Sequence, residues 1–138
     1  MRVFDGGCLC ERIRYRSEGE PVLVDYCHCA KCRKASGAPV LAWAAFERTR
    51  VHFSGDKPAL FESSPHTFRY FCPRCGSALA MGSEGETLMG VTVGTLDHPE
   101  ELPPRQHSWV ASRLPWLVFH DDLPEHAGES PELAGEEP

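Results

Sequence analysis

The chain has 138 residues, 41% of them hydrophobic and 25% charged, a length and balance that suit one soluble domain with a modest core. The 12 glycines and 12 prolines imply many turns and argue against a helical bundle. Four acids of the formal charge of −6 (Glu129, Glu132, Glu136 and Glu137) sit near the C-terminus, so the body is nearly neutral and lacks the basic face that nucleic-acid binding requires.

In chain order, the opening MRVFDGGCLC has no charged-then-apolar signal, and the longest apolar run, Val40 to Phe46, is far too short to cross a bilayer. The chain is therefore read as cytoplasmic, with no membrane partner. Alternation at Ile13 and Tyr15, and again across Val22, Val24 and Tyr26, predicts two strands split by the turn Ser17-Glu18-Gly19-Glu20-Pro21. Ala30 to Ser36 fits one short helix ended by Gly37. Further strands are predicted over Val40–Phe46, Val51–Phe53, Ala59–Glu62, Thr67–Phe71, Ala78–Met81 and Thr87–Val93, with glycine or proline breaks between most of them. After Thr95 recurrent prolines space out Leu102, Trp109, Leu114 and Trp116, which reads as an extended segment docked by its aromatics. From Ala127 the composition is acid, proline and glycine, too polar to offset chain entropy, and a flexible tail over 127–138 is expected.

The seven cysteines carry the chemistry. They fall in three groups: Cys8 and Cys10; Cys27, Cys29 and Cys32; Cys72 and Cys75. In a reducing compartment clustered thiols point to metal ligation or redox work rather than disulfides. Phe71-Cys72-Pro73-Arg74-Cys75-Gly76 has the spacing and trailing glycine of a zinc knuckle. Cys8 and Cys10, two apart on an extended strand, face one way and could complete a tetrahedral site. Cys27-His28-Cys29-Ala30-Lys31-Cys32 would then hold a second ion with three thiolates and one open position, as catalytic zinc sites do. Spacing alone leaves this partition open, since the trio could borrow from either pair. Inert core thiols, or a redox pair at Cys29/Cys32 or Cys72/Cys75, are the competing readings.

Other residues are weaker candidates. His28 alternates away from the ligands, which suggests a supporting or surface role. Lys31, Arg33 and Lys34 are the cations nearest in sequence, although a solvated basic turn explains each of them better. His52, His66, His98, His107, His120 and His126 lack ligand spacing. Trp43, Trp109 and Trp116 read as core or docking aromatics rather than substrate platforms, and Ser63 and Ser64 could line a pocket or simply edge a strand.

Several motifs coincide: Gly7-Cys8-Leu9-Cys10; Cys27-His28-Cys29 with Cys32-Arg33; Glu62-Ser63-Ser64 leading to Arg69 and the Phe71 knuckle; Gly94-Thr95-Leu96-Asp97; and Trp116 ahead of Leu123-Pro124. Together, from about Gly6 to about His126, they resemble the glutathione-dependent formaldehyde-activating enzyme family, which also includes centromere protein V. The resemblance implies a mainly β zinc domain over 1–126, with several small coiled antiparallel sheets like those of methionine-R-sulfoxide reductase and a Rab-associated zinc protein. It implies a structural zinc on Cys8, Cys10, Cys72 and Cys75, and a second, catalytic zinc on Cys27, Cys29 and Cys32. It further implies a carbon–sulfur lyase acting on S-hydroxymethylglutathione or a related thiol adduct, with glutathione as small-molecule partner. A non-catalytic zinc domain that binds glutathione or a partner protein is the alternative. One departure stands out: members usually carry a small residue, often glycine, after the first cysteine pair, where this chain has Glu11 and Arg12.

Overall fold

The computed structural model describes residues 1–134. Its strands are β1 (Val3–Gly7), β2 (Ile13–Glu18), β3 (Leu23–Cys27), β4 (Leu41–Glu47), β5 (Val51–Gly55), β6 (Ala59–Ser64), β7 (Thr67–Phe71), β8 (Ala78–Ser83), β9 (Leu88–Thr92) and β10 (Gln106–Ser108). Two short helices, α1 (Ala30–Ser36) and α2 (Pro131–Ala134), complete the regular elements beside several 3-10 turns. The mainly β expectation holds. The strands gather into two sheets, one of three strands in the order β1-β2-β5 and one of seven in the order β10-β3-β4-β9-β8-β7-β6. All pairings are antiparallel except β10 with β3.

Alternation decides how the sheets meet. Val24 on β3, Ala44 and Phe46 on β4, and Met89 and Val91 on β9 project from one face of the large sheet into the core. Phe4 of β1 and Ile13 and Tyr15 of β2 join the same core, with the Phe4 and Phe46 rings 5.8 Å apart. A strand exposes alternate residues to opposite faces, so the same alternation leaves the other face of the large sheet free to build something else.

Two strands escaped the sequence reading. In β1 the run Val-Phe-Asp-Gly-Gly is weak in β-forming residues, and it is held by its pairing with β2. In β10, three residues with no apolar alternation are recruited by β3, which is itself an edge without them.

The region after Thr95 is docked by an aromatic, but by Phe119, which packs on Tyr26 and His28, rather than by Trp116. Trp116 is 69% exposed, and backbone hydrogen bonds also hold the segment: His107 N–H donates to Pro124 O, His126 N–H to His107 O, and Val110 N–H to His126 O. Residues expected to form a tail are likewise placed against the domain. Trp109 N–H donates to Gly128 O at 2.8 Å, and Ser130 is fully buried. The last residues, 135–138, lie outside the described part of the chain.

Gly6 shows how tightly β1 is seated. A Cβ there would lie 2.5 Å from the Tyr15 ring and 2.6 Å from Thr95 O, and the ring cannot retreat because it is buried with its hydroxyl 2.8 Å from Thr95 Oγ1. Gly6→Ala should therefore lower stability by about 2–4 kcal/mol, measured as a fall in the urea unfolding midpoint, whereas an unchanged midpoint would contradict this packing.

Candidate functional site

The first cysteine group is assembled from two turns far apart in sequence. Cys8 and Cys10 follow β1, Cys72 and Cys75 follow β7, and the four sulfurs lie within 4.8 Å of one another. Cys8 Sγ is 3.5 Å from Cys10 Sγ, which is 3.7 Å from Cys72 Sγ. Four sulfurs about 2.3 Å from a tetrahedral ion would be separated by roughly 3.8 Å, so the spacing fits a thiolate-held metal such as zinc. Backbone N–H groups already point at the sulfurs: Ile13 N–H at Cys8 and Cys75 N–H at Cys72. The Ser77 hydroxyl, aided by the Ser77 N–H, draws the Cys75 thiol down to about 5.

Both turns need left-handed backbone. In the knuckle Gly76 provides it at φ 81°, donating its N–H to Cys72 O. In the first turn the job falls to Glu11 at φ 68°, whose N–H donates to Cys8 O. The departure noted in sequence thus lands on a conformation that favours glycine, and the turn still closes.

The trio is local. Cys27 ends β3; Cys29 caps α1 and its sulfur accepts from Cys32 N–H at 3.3 Å; Cys32 sits one turn into the helix. Their sulfurs also lie within 4.8 Å of one another, and among the described residues no fourth His, Cys, Asp or Glu joins the group. Hydrogen bonds from Cys27 and Cys32 hold the Cys29 thiol far below its ordinary value despite burial, with Arg69 acting in the same direction. The same contacts and burial push Cys27 up.

These thiols open on a cavity of about 470 Å³ whose floor is the free face of the large sheet. One row of cross-strand neighbours runs Leu23, Ala45, Gly90, Met81, Arg69 across β3, β4, β9, β8 and β7, and all five line the cavity. Ala45 and Gly90 hollow the floor because they carry little or no side chain. Trp43, opposite Asp25, lies over Gly90, where an added Cβ would come within 3.1 Å of the indole.

The row delivers Arg69 to the trio. Its two terminal nitrogens are each 3.8 Å from Cys32 Sγ, and its Nε is buried without a hydrogen-bond partner. Of the cations adjacent in sequence, Lys31 lines the cavity, and Arg33 instead ties His28 O to Ser112 O at 2.7 Å each. Trp43, Trp109 and Ser64 also line the cavity; Trp43 is a buried core residue, as expected, and forms part of the cavity wall as well.

His28 is not on the surface. It is fully buried, with Nε2 2.9 Å from His107 Nδ1, and His107 Nε2 is 2.8 Å from Asp121 Oδ2. The Leu123 N–H and His107 hold Asp121 ionised. Hence His107 donates Nε2–H to that carboxylate and accepts from His28 Nε2–H, which leaves His28 Nδ1 a buried acceptor with no partner. Burial, reinforced by His107 and Arg113, pushes His28 down to about 4.

A β domain with one closed four-thiol group and one three-thiol group opening on a cavity is a cysteine-cluster protein whose two groups could each hold a metal ion. The model of the glutathione-dependent formaldehyde-activating enzyme family matches residues 3–112, and the chain belongs to that family. No curated protein matches it. Among solved structures, a crystal structure of a Rhodobacter sphaeroides protein shares the fold at TM-score 0.53 and 17% identity, over 88% of this chain and 98% of that chain. Among the described residues no helix is long and apolar enough to cross a membrane.

Two outcomes follow from the local geometry. Glu11→Gly should raise stability by about 1 kcal/mol, because glycine adopts the left-handed region without strain; a lower thermal midpoint would count against the assigned turn. For His28 the unfolded value is about 6.5 and the folded value about 4, so the unfolded state takes up the extra proton between them. Stability contributed by neutral His28 is complete above the upper value and is lost as pH falls toward the lower. Urea unfolding at pH 5 should show about 1–2 kcal/mol less stability than at pH 7, with part of that slope absent in His28→Gln; identical slopes would refute the assignment.

Proposed function

We propose that the chain is a zinc-dependent carbon–sulfur lyase that cleaves, or in reverse forms, a hydroxymethyl thioether of the S-hydroxymethylglutathione type. Cys8, Cys10, Cys72 and Cys75 would hold a structural zinc, and Cys27, Cys29 and Cys32 a second one. The observation that carries the reading is the trio itself: three sulfurs at a cavity, with no fourth protein donor among the described residues. A zinc ion held there would supply a soft cationic position suited to a sulfur that leaves or attacks as thiolate.

The chain's own residues account for the rest. In the cleavage direction the C–S bonding pair goes to sulfur, the hydroxyl loses its proton as the C=O bond forms, and thiol and formaldehyde are the products. Negative charge therefore grows on sulfur beside three cysteines whose charge is already high. Arg69, against Cys32 Sγ, offsets it from a partly buried position, where a charge interaction is weakened less by water than on the surface. The cavity floor of Leu23, Ala45, Gly90 and Met81 limits water around the reacting carbon, and Trp43 supplies a flat apolar wall.

Formaldehyde adds to thiols unaided, so the test must read exchange rather than net conversion. Zinc-loaded protein should accelerate formaldehyde–glutathione exchange measured by NMR; Cys29→Ser and chelator-treated protein should lose the gain, and Arg69→Gln should lose roughly tenfold or more. Equal exchange rates with and without the protein would overturn the reading. Glutathione binding without any acceleration would favour the non-catalytic binding domain instead.

A further inference from the structure

The family match ends at residue 112, yet the cavity does not. Glu129 and Leu133 also line it, and they belong to a C-terminal segment that is anchored at several points. Ser130 is fully buried, and its hydroxyl donates to Asp25 Oδ2 at 2.9 Å. Gln106 Nε2 donates to Glu132 Oε2 at 2.9 Å. Upstream, Trp109 N–H holds Gly128 O, and the Trp109 indole approaches Gly128 from a left-handed backbone at φ 56°.

The position of the anchor matters. Leu23, Asp25 and Cys27 are alternate residues of β3 and all line the cavity. Successive members of such a series are about 7 Å apart along a strand. The Ser130 contact at Asp25 is thus one step from the trio, about where an arm attached to a reacting sulfur would run.

We propose that residues 129–133 form the specificity-determining wall of the site, with the Ser130–Asp25 hydrogen bond as its anchor and Leu133 as the residue that limits the length of the arm a thiol carries beyond its sulfur. This rests on the reading of the trio as a thiol-binding metal site. The wall selects by size: a compact thiol reaches the trio without touching it, and a peptide-sized thiol must pack along it. Leu133 is a positioning residue here, because it bears on the arm and not on the reacting atoms.

Binding to the cobalt-loaded full chain tests the wall without requiring turnover, since a thiol joining a cobalt–thiolate site changes its charge-transfer spectrum. The probes are 2-mercaptoethanol and glutathione, titrated into wild type, Leu133→Trp and Leu133→Ala. Filling the wall should weaken glutathione about fivefold or more relative to 2-mercaptoethanol, and Leu133→Ala should move the ratio of the two dissociation constants the opposite way. General destabilisation would move both variants in one direction and both thiols together, so it would overturn the proposal. So would an unchanged ratio in both variants while wild type binds both thiols. If wild type shows no spectral response to either thiol, the thiol-site reading itself fails and the wall falls with it. Ser130→Ala serves as a second check, with a shifted ratio expected at unchanged cobalt content.

Discussion

The strict two-residue period of β3, β4 and β9 is the constraint on which the rest depends. Because alternate side chains face opposite ways, the same strands that put Val24, Phe46 and Val91 into the core must present Cys27, Trp43 and Gly90 to the other side. One register serves stability and the site at once. A one-residue slip of β3 would send Cys27 into the core and Val24 into the cavity, and apolar burial on the core face, worth about 1.5–3 kcal/mol for each large side chain, is what opposes it.

The two cysteine groups sit in this frame differently. The closed group joins the turn after β1 to the turn after β7, and the contact between Cys10 and Cys72 spans most of the region between them. It crosslinks the small sheet to the far part of the large one, a long loop closure of the kind that removes much unfolded-state entropy when a metal completes it. The trio closes only a short stretch, from the end of β3 to the first turn of α1. It adds little to chain connectivity, so its burial beside a cavity and a cation is better explained by chemistry than by stability.

Legibility in the sequence followed distance along the chain. The knuckle, the Cys8/Cys10 pair and the trio could be read because each is defined within a few residues, and α1 with its Gly37 cap likewise. Arg69 could not be read as a partner of Cys32: thirty-seven positions separate them, and only the lateral row across β7, β8 and β9 brings them together. The His28–His107–Asp121 chain was hidden for the same reason, since it needs the parallel pairing of β10 on β3. The expectation of a tail over 127–138 rests on composition alone, which does not register the specific contacts made by its described residues. Its single leucine and its serine each find one specific place in the fold, and a few anchoring contacts hold a segment that average polarity assigns to solvent.

The buried imidazole pair shows how the site is kept rigid without being more highly charged. Strand β3 ends at Cys27, and the residue after it sends its side chain to the opposite side, into a pocket where Phe119 packs on both histidine rings and Tyr26 stacks on His107. His28 N–H also donates to Ser108 O, so both its backbone and its ring are fixed from β10. Arg33 then clamps His28 O from the helix side. Cys27 and Cys29 flank a residue held at three points, and their sulfurs inherit that precision. A neutral imidazole does this at less electrostatic cost than a buried ion pair, leaving Arg69 as the cation placed directly against the thiols.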